Sequence, residues 1–244
     1  MILLFAPIFS IFALTFGRTY LLWAKKNACI LDNDSDLSPE ESIIIFDLHG
    51  VLFKHDYAKM IRTFAQSPQK WLLLRGIFSP CLIWDVLKLL YRRPIPESFF
   101  MHLAHTYKDI DKALPLLIRI ANCQKRNEPM IAMAKELKQK GYALGIISNI
   151  GEHIFDDLAP EHTDLFDLFD TVTVASAESN YASKPNPTIY KLFLQNITDD
   201  TKKMVFIDDK QKNICGALTF NIIGIRFRSY DQCKKQLAQL GIDI

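Results

Sequence analysis

The chain has 244 residues, of which 49% are hydrophobic and 23% charged, with 9 Gly and 11 Pro. That is ample apolar side chain for one large α/β domain or a core domain with an insert, and it excludes a disordered, collagen-like or low-complexity protein. The formal charge of +2 is uneven: residues 1–28 contain Arg18, Lys25 and Lys26 and no acid, so the remainder nets −1 and lacks the basic face that nucleic acid requires. Five cysteines stand at 29, 81, 123, 215 and 233. Their odd number, long spacings and lack of a Cys-x-x-Cys pair suggest neither a disulfide framework nor a zinc site, and fit a reducing compartment.

Residues 1–17 carry no charge, Arg18 interrupts the run, and Tyr20 and Trp23 extend it to Lys25-Lys26. A spanning helix takes about 20 residues. Residues 1–28 are therefore expected to form a hydrophobic helix that contacts a membrane through residues 1–24, with the rest of the chain on the cytoplasmic side of the lysine pair. A surface or packed helix is the second reading. A cleaved signal is the third, disfavoured because no basic segment precedes the apolar run. Residues 31–42 read as an exposed acidic linker.

Ser42–Asp47 is a short β-branched apolar run ending in an acid, the pattern of a buried parallel strand. Further strands are expected over 142–147, 171–174, 204–207 and 222–225, with helices over 129–140 and 188–195 between them. Pro187 stands where a first helical turn accepts it, and Gly141 is a plausible helix stop. Alternating strands and helices imply a doubly wound, mostly parallel sheet. From Phe53 to about Glu128 no strand is expected; the segment reads as several helices inserted after the first strand.

In open α/β sheets the ligand sits beyond the carboxyl ends of the strands. There the chain places Asp47-Leu48-His49-Gly50, Ser148-Asn149 and Asp208-Asp209, with Ser183-Lys184-Pro185 after the third strand. Three carboxylates in one crevice repel unless a cation neutralises them, and hard oxygen ligands suit Mg²⁺. Lys184, the Ser148 hydroxyl and the amides of the Gly50 turn would bind a tetrahedral anion. A carboxylate nucleophile, a divalent cation and a lysine are what phosphoryl transfer asks for.

Four segments, each at a strand end, carry a resemblance: Phe-Asp-Leu-His-Gly-Val-Leu-Phe, Ile-Ile-Ser-Asn, Ser-Lys-Pro-Asn-Pro-Thr-Ile-Tyr and Phe-Ile-Asp-Asp-Lys-Gln-Lys-Asn-Ile. In this order over 43–230 they resemble the motifs of the haloacid dehalogenase (HAD) superfamily, in its subclass with a helical cap after the first strand. The resemblance implies a Rossmann-like core over 29–53 and 127–244, a cap over 54–126, and a Mg²⁺-dependent phosphatase. It implies Asp47 as the nucleophile that becomes an aspartyl-phosphate, and Ser148, Asn149 and Lys184 around the phosphoryl group. Asp47, Asp209, Asp208 and the His49 carbonyl would be metal ligands, with Asn213 supporting them. The substrate would be a small-molecule or phosphoprotein phosphoester, and no nucleic acid is expected.

The chain departs from that pattern at His49, where the family's phosphatases place a second Asp. His49 can replace it as acid and base, the acid can be missing and turnover slow, or the protein can be a non-catalytic relative acting at a membrane. Other residues invite plainer readings. His55 and Asp56 read as exposed loop residues or a cap hinge. His102 and His105, three apart, lack further ligands at metal spacing. The acids between Asp156 and Asp170 read as a solvated helix face. Trp71-Leu72-Leu73-Leu74 with Ile77, Phe78, Leu82, Ile83, Trp84 and Leu87 read as the core of the cap rather than a greasy pocket or membrane contact.

Overall fold

The run Ser42–Phe46 forms strand β1, and every one of its residues is buried. The computed structural model describes residues 37–77, 108–197 and 202–244. The expected anchor at 1–28 and the residues His102, His105 and 78–87 lie outside these. Among the described residues no helix is long and apolar enough to cross a membrane.

Four more strands flank β1 in parallel: β4 (Ala143–Gly151), β5 (Thr171–Ala175), β6 (Lys203–Asp208) and β7 (Ile223–Arg226), in the spatial order β5-β4-β1-β6-β7. All five expected strands are present. The near-continuous apolar sequence of β1 and β6 follows from helices covering both faces. On one face Met130, Ile131, Met133, Ala134, Leu137 and Leu237 pack against Ile44, Phe46 and Ile146. On the other, Ile189, Tyr190, Phe193, Ile214 and Ala217 pack against Ile43, Ile45 and Phe206. This two-sided burial makes the fold doubly wound.

The segment after β1 differs from expectation in one respect. Two three-residue strands, β2 (Phe53–His55) and β3 (Gln124–Arg126), pair antiparallel as a separate ribbon. Only Phe53 of the six is buried, so neither strand leaves an apolar pattern to read. Between them lie the helices α1 (Tyr57–Gln66), α2 (Lys70–Ile77) and α3 (Lys108–Ala121). Asp56 caps α1, accepting from the Lys59 N–H at 2.9 Å. Trp71 is 64% exposed rather than part of a core, and Lys70 lies over its ring. After β3 come α4 (Glu128–Gln139), α5 (Glu152–Leu158), α6 (Thr163–Phe166), α7 (Pro187–Gln195), α8 (Gln211–Leu218) and α9 (Tyr230–Ala238).

Candidate active site

Because β1, β4 and β6 run parallel, their carboxyl ends deliver Asp47, Ser148 and Asp208 to one edge of the sheet. The loop after β1 is anchored from below. Leu48, Val51 and Leu52 are fully buried, and the Phe53 N–H donates to the Leu48 carbonyl at 2.8 Å. This leaves His49 and Gly50 largely covered but still reaching the surface above that anchor.

Lys184 is the centre of the cluster. Its ammonium has no exposure and lies 2.8 Å from Asp47 Oδ1, 2.8 Å from Asp208 Oδ2 and 2.6 Å from the Ile147 carbonyl. Burial disfavours its charge, but Asp47 and Asp208 outweigh burial and raise its pKa. Burial also pushes Asp47 up, to about 7, with Lys184 pulling against it and the Asp208 charge adding to it. Asp208 goes the other way: burial opposes its ionisation, but Lys184, Asn213 and the Lys210 N–H together hold its pKa below the usual carboxylate range.

The carboxylates Asp47, Asp208 and Asp209 offer oxygens within 4.8 Å of one another. Their capacities differ. Asp208 Oδ1 accepts from the Lys210 N–H at 2.7 Å and Asn213 Nδ2 at 3.0 Å, and its Oδ2 from Lys184 Nζ at 2.8 Å and Asn213 Nδ2 at 2.9 Å. Two donors on each oxygen fill its lone pairs, so Asp208 is an anchor for Lys184 more than a free ligand. Asp209 Oδ1, by contrast, is buried without a hydrogen-bond partner, and Lys210 Nζ approaches it only to 3.9 Å. A buried, unpartnered carboxylate oxygen beside two further acids is a fit for a hard divalent cation. Gly50, at φ 97°, lies directly against it: a Cβ there would stand 2.7 Å from Asp209 Cγ.

The remaining expected residues divide in function. Ser148 is fully buried, and its Oγ accepts from the Ile150 N–H at 3.2 Å, leaving its own proton to donate. Asn149 was expected at the phosphate, but both ends of its amide are engaged with the Lys184 backbone: Oδ1 accepts from the Lys184 N–H at 2.6 Å and Nδ2 donates to its carbonyl at 3.2 Å. It therefore holds Lys184 in place. Asn213 is fully buried against Asp208. His49 has its pKa lowered to about 4, first by burial and then by the electrostatic influence of its neighbours His55, Lys210 and Lys184, which favours the neutral ring at neutral pH.

Two features escape reading from the sequence. Glu152 at the start of α5 accepts from the Tyr181 hydroxyl at 3.0 Å and from the Ala177 N–H, tying down the loop that leads to Lys184. In that loop Asn180 and Tyr181 both have positive φ, of 50° and 52°. Asn tolerates this conformation and is the only local signal. The second is His55, whose ring stacks on His49 with centroids 5.7 Å apart.

A family model described as haloacid dehalogenase-like hydrolase matches residues 42–219. Among curated proteins, the chain is 27% identical over 118 residues to the sesquiterpene phosphatase astK of Aspergillus oryzae, covering 48% of this chain and 59% of that protein. It is 28% identical over 152 residues to the bifunctional epoxide hydrolase 2 of Sus scrofa, covering 60% of this chain and 24% of that protein. The matches thus span less than two thirds of these relatives' lengths. Among solved structures, a HAD phosphatase from Thermococcus onnurineus superposes with a TM-score of 0.58 at 21% identity, covering 83% of this chain and 99% of that one. A predicted HAD-like family hydrolase from Porphyromonas gingivalis superposes with a TM-score of 0.52 at 20% identity, covering 81% and 97%. These structures share the fold.

Proposed function

The chain belongs to the haloacid dehalogenase-like hydrolase family, and on that premise we propose that it is a Mg²⁺-dependent hydrolase of small phosphate monoesters, acting through an aspartyl-phosphate on Asp47. The observation that carries this reading is the buried Asp47–Lys184–Asp208 cluster with the unpartnered Asp209 oxygen beside it. Displacement of a halide asks for one carboxylate and no cation, whereas this crevice gathers three acids within ligand distance. The similarity to a sesquiterpene phosphatase supports the same chemistry.

In this mechanism an Asp47 carboxylate oxygen attacks phosphorus, the bond from phosphorus to the ester oxygen breaks, and the leaving oxygen takes up a proton. Water then attacks the phosphorus of the acyl phosphate, which regenerates Asp47 and releases inorganic phosphate. Lys184 holds Asp47 in position and offsets its charge, while the Ser148 hydroxyl donates to a phosphoryl oxygen. Asp47, Asp209 and the His49 carbonyl would hold the cation, with Asp208 behind them. Bound there, Mg²⁺ would supply the positive charge that lets these acids ionise together and polarises the phosphoryl oxygens. The unprotonated His49 ring suits removal of a proton from the attacking water. A phosphate dianion beside it raises its pKa, which allows it to deliver a proton to the leaving oxygen. Residues 54–126 act as a cap that excludes water.

The experiment is hydrolysis of p-nitrophenyl phosphate by the full chain. Activity is expected with Mg²⁺ and not with EDTA, and Asp47→Asn should lower kcat by about a thousandfold or more. Unchanged turnover in Asp47→Asn would overturn the nucleophile. His49 in place of the family's second acid favours a second reading, a relative with slow or no turnover that acts by binding at a membrane. It predicts no hydrolysis across a broad phosphoester panel and no binding of a beryllium fluoride phosphate mimic.

A further inference from the structure

Beside the reaction centre a line of rings leads outward. His49 follows Asp47 by two residues, in the loop whose Gly50 lies directly against Asp209. The His49 ring stacks on His55 at 5.7 Å with planes 24° apart, and His55 meets Tyr57 at 5.9 Å. Tyr57 opens α1, and Ile61 and Ala65 follow at one-turn intervals along the same stripe. Tyr57 is 68% and Ile61 70% exposed. Away from that stripe Thr63 Oγ1 lies 3.4 Å from Cys123 Sγ, whereas Phe64, seven residues after Tyr57 and on the edge of the stripe, is half-buried. From His49 to Ile61, two ring contacts and one helical turn span at most about 17 Å.

From this continuity we infer that the ester's leaving group is a long apolar chain, selected by the surface of His49, His55, Tyr57 and Ile61. The inference rests on the reading of Asp47 as nucleophile towards a phosphate monoester. A second phosphate finds the amino end of α1 already capped, since Asp56 Oδ1 accepts from the Lys59 N–H. Lys59 and Arg62 lie off the stripe by helical geometry. A chain of dodecyl or prenyl size laid over the rings takes Tyr57 and Ile61 out of water, which is the favourable direction of transfer.

The test compares kcat/KM of the full chain with Mg²⁺ for dodecyl, farnesyl, butyl and hexose phosphates, below the micelle concentration of the dodecyl ester. The two long apolar esters should exceed the other two by about tenfold or more. Tyr57→Ser and Ile61→Ser should each lower the dodecyl value by about tenfold through KM, with p-nitrophenyl phosphate turnover and the thermal melt unchanged. Hydrolysis of p-nitrophenyl phosphate with no preference for the long apolar esters overturns the inference and leaves the phosphatase reading standing. Loss of vesicle co-sedimentation in the two variants, with selectivity intact, assigns the stripe to a lipid surface and also overturns it. If no ester is hydrolysed, p-nitrophenyl phosphate included, the phosphatase reading falls and the inference falls with it.

Discussion

A lysine without contact with water keeps its charge only where the surroundings replace its hydration. Around Lys184 two carboxylates and a backbone carbonyl do so; Asn149 holds the Lys184 backbone and Asn213 holds the Asp208 carboxylate. Such a cluster tolerates loss of a member poorly, because what remains is an unpaired buried charge. Gly50 tests the same region without removing a polar group. Its φ of 97° disfavours any side chain, and an added Cβ would meet Asp209 Cγ at 2.7 Å. Alanine there should destabilise the fold by about 1 kcal/mol through its backbone conformation. It should also displace Asp209, so that the Mg²⁺ concentration for half-maximal activity rises. A melt combined with a Mg²⁺ titration separates the two effects; an unchanged titration would mean that Asp209 is not held by this contact or does not bind the ion.

At the scale of elements, sheet packing depends on close approach between β4 and α7. A Cβ on Gly145 would stand 2.6 and 2.8 Å from the ring of Phe193, which is fully buried. Gly145→Ala should therefore destabilise by about 1–3 kcal/mol, since the ring cannot yield without shifting the helix. Urea unfolding measures this, and a loss near zero would show that α7 moves freely. The strands themselves were legible because Ile43-Ile44-Ile45-Phe46 and Val205-Phe206-Ile207 are apolar on both faces, as a covered parallel sheet requires. The same logic hid the ribbon: Lys54, His55, Gln124, Lys125 and Arg126 are joined by backbone pairing, which leaves no mark in side-chain character. The site shows the same division. Strand ends announce Asp47, Ser148, Asp208 and Asp209. The fact that Asn149 grips Lys184, that Glu152 ties Tyr181 and that His55 stacks on His49 depends on loops meeting in space.

At the scale of the whole molecule, the chain leaves the first strand of the sheet along β2 and returns to α4 along β3, with the described helices α1–α3 between them. Arg126 in β3 reinforces the return. It donates to both oxygens of Asp164, at 2.8 Å each, and thereby ties the ribbon to α6 on the core. The Arg126 contacts, assisted by Lys135, depress the Asp164 pKa from 3.8 to about 2. A depressed carboxylate pKa means that the pair contributes stability above the unfolded value, near pH 4, and loses it as pH falls through about 2. Both partners reach solvent, so the contribution is modest and weakened by salt. Asp164→Asn should therefore lower the melting temperature slightly at pH 7. The gap between wild type and variant should close between pH 4 and pH 2, and it should narrow at pH 7 when salt is raised. A gap that persists at pH 2 would mean that shape at position 164, rather than charge, joins the ribbon to the core.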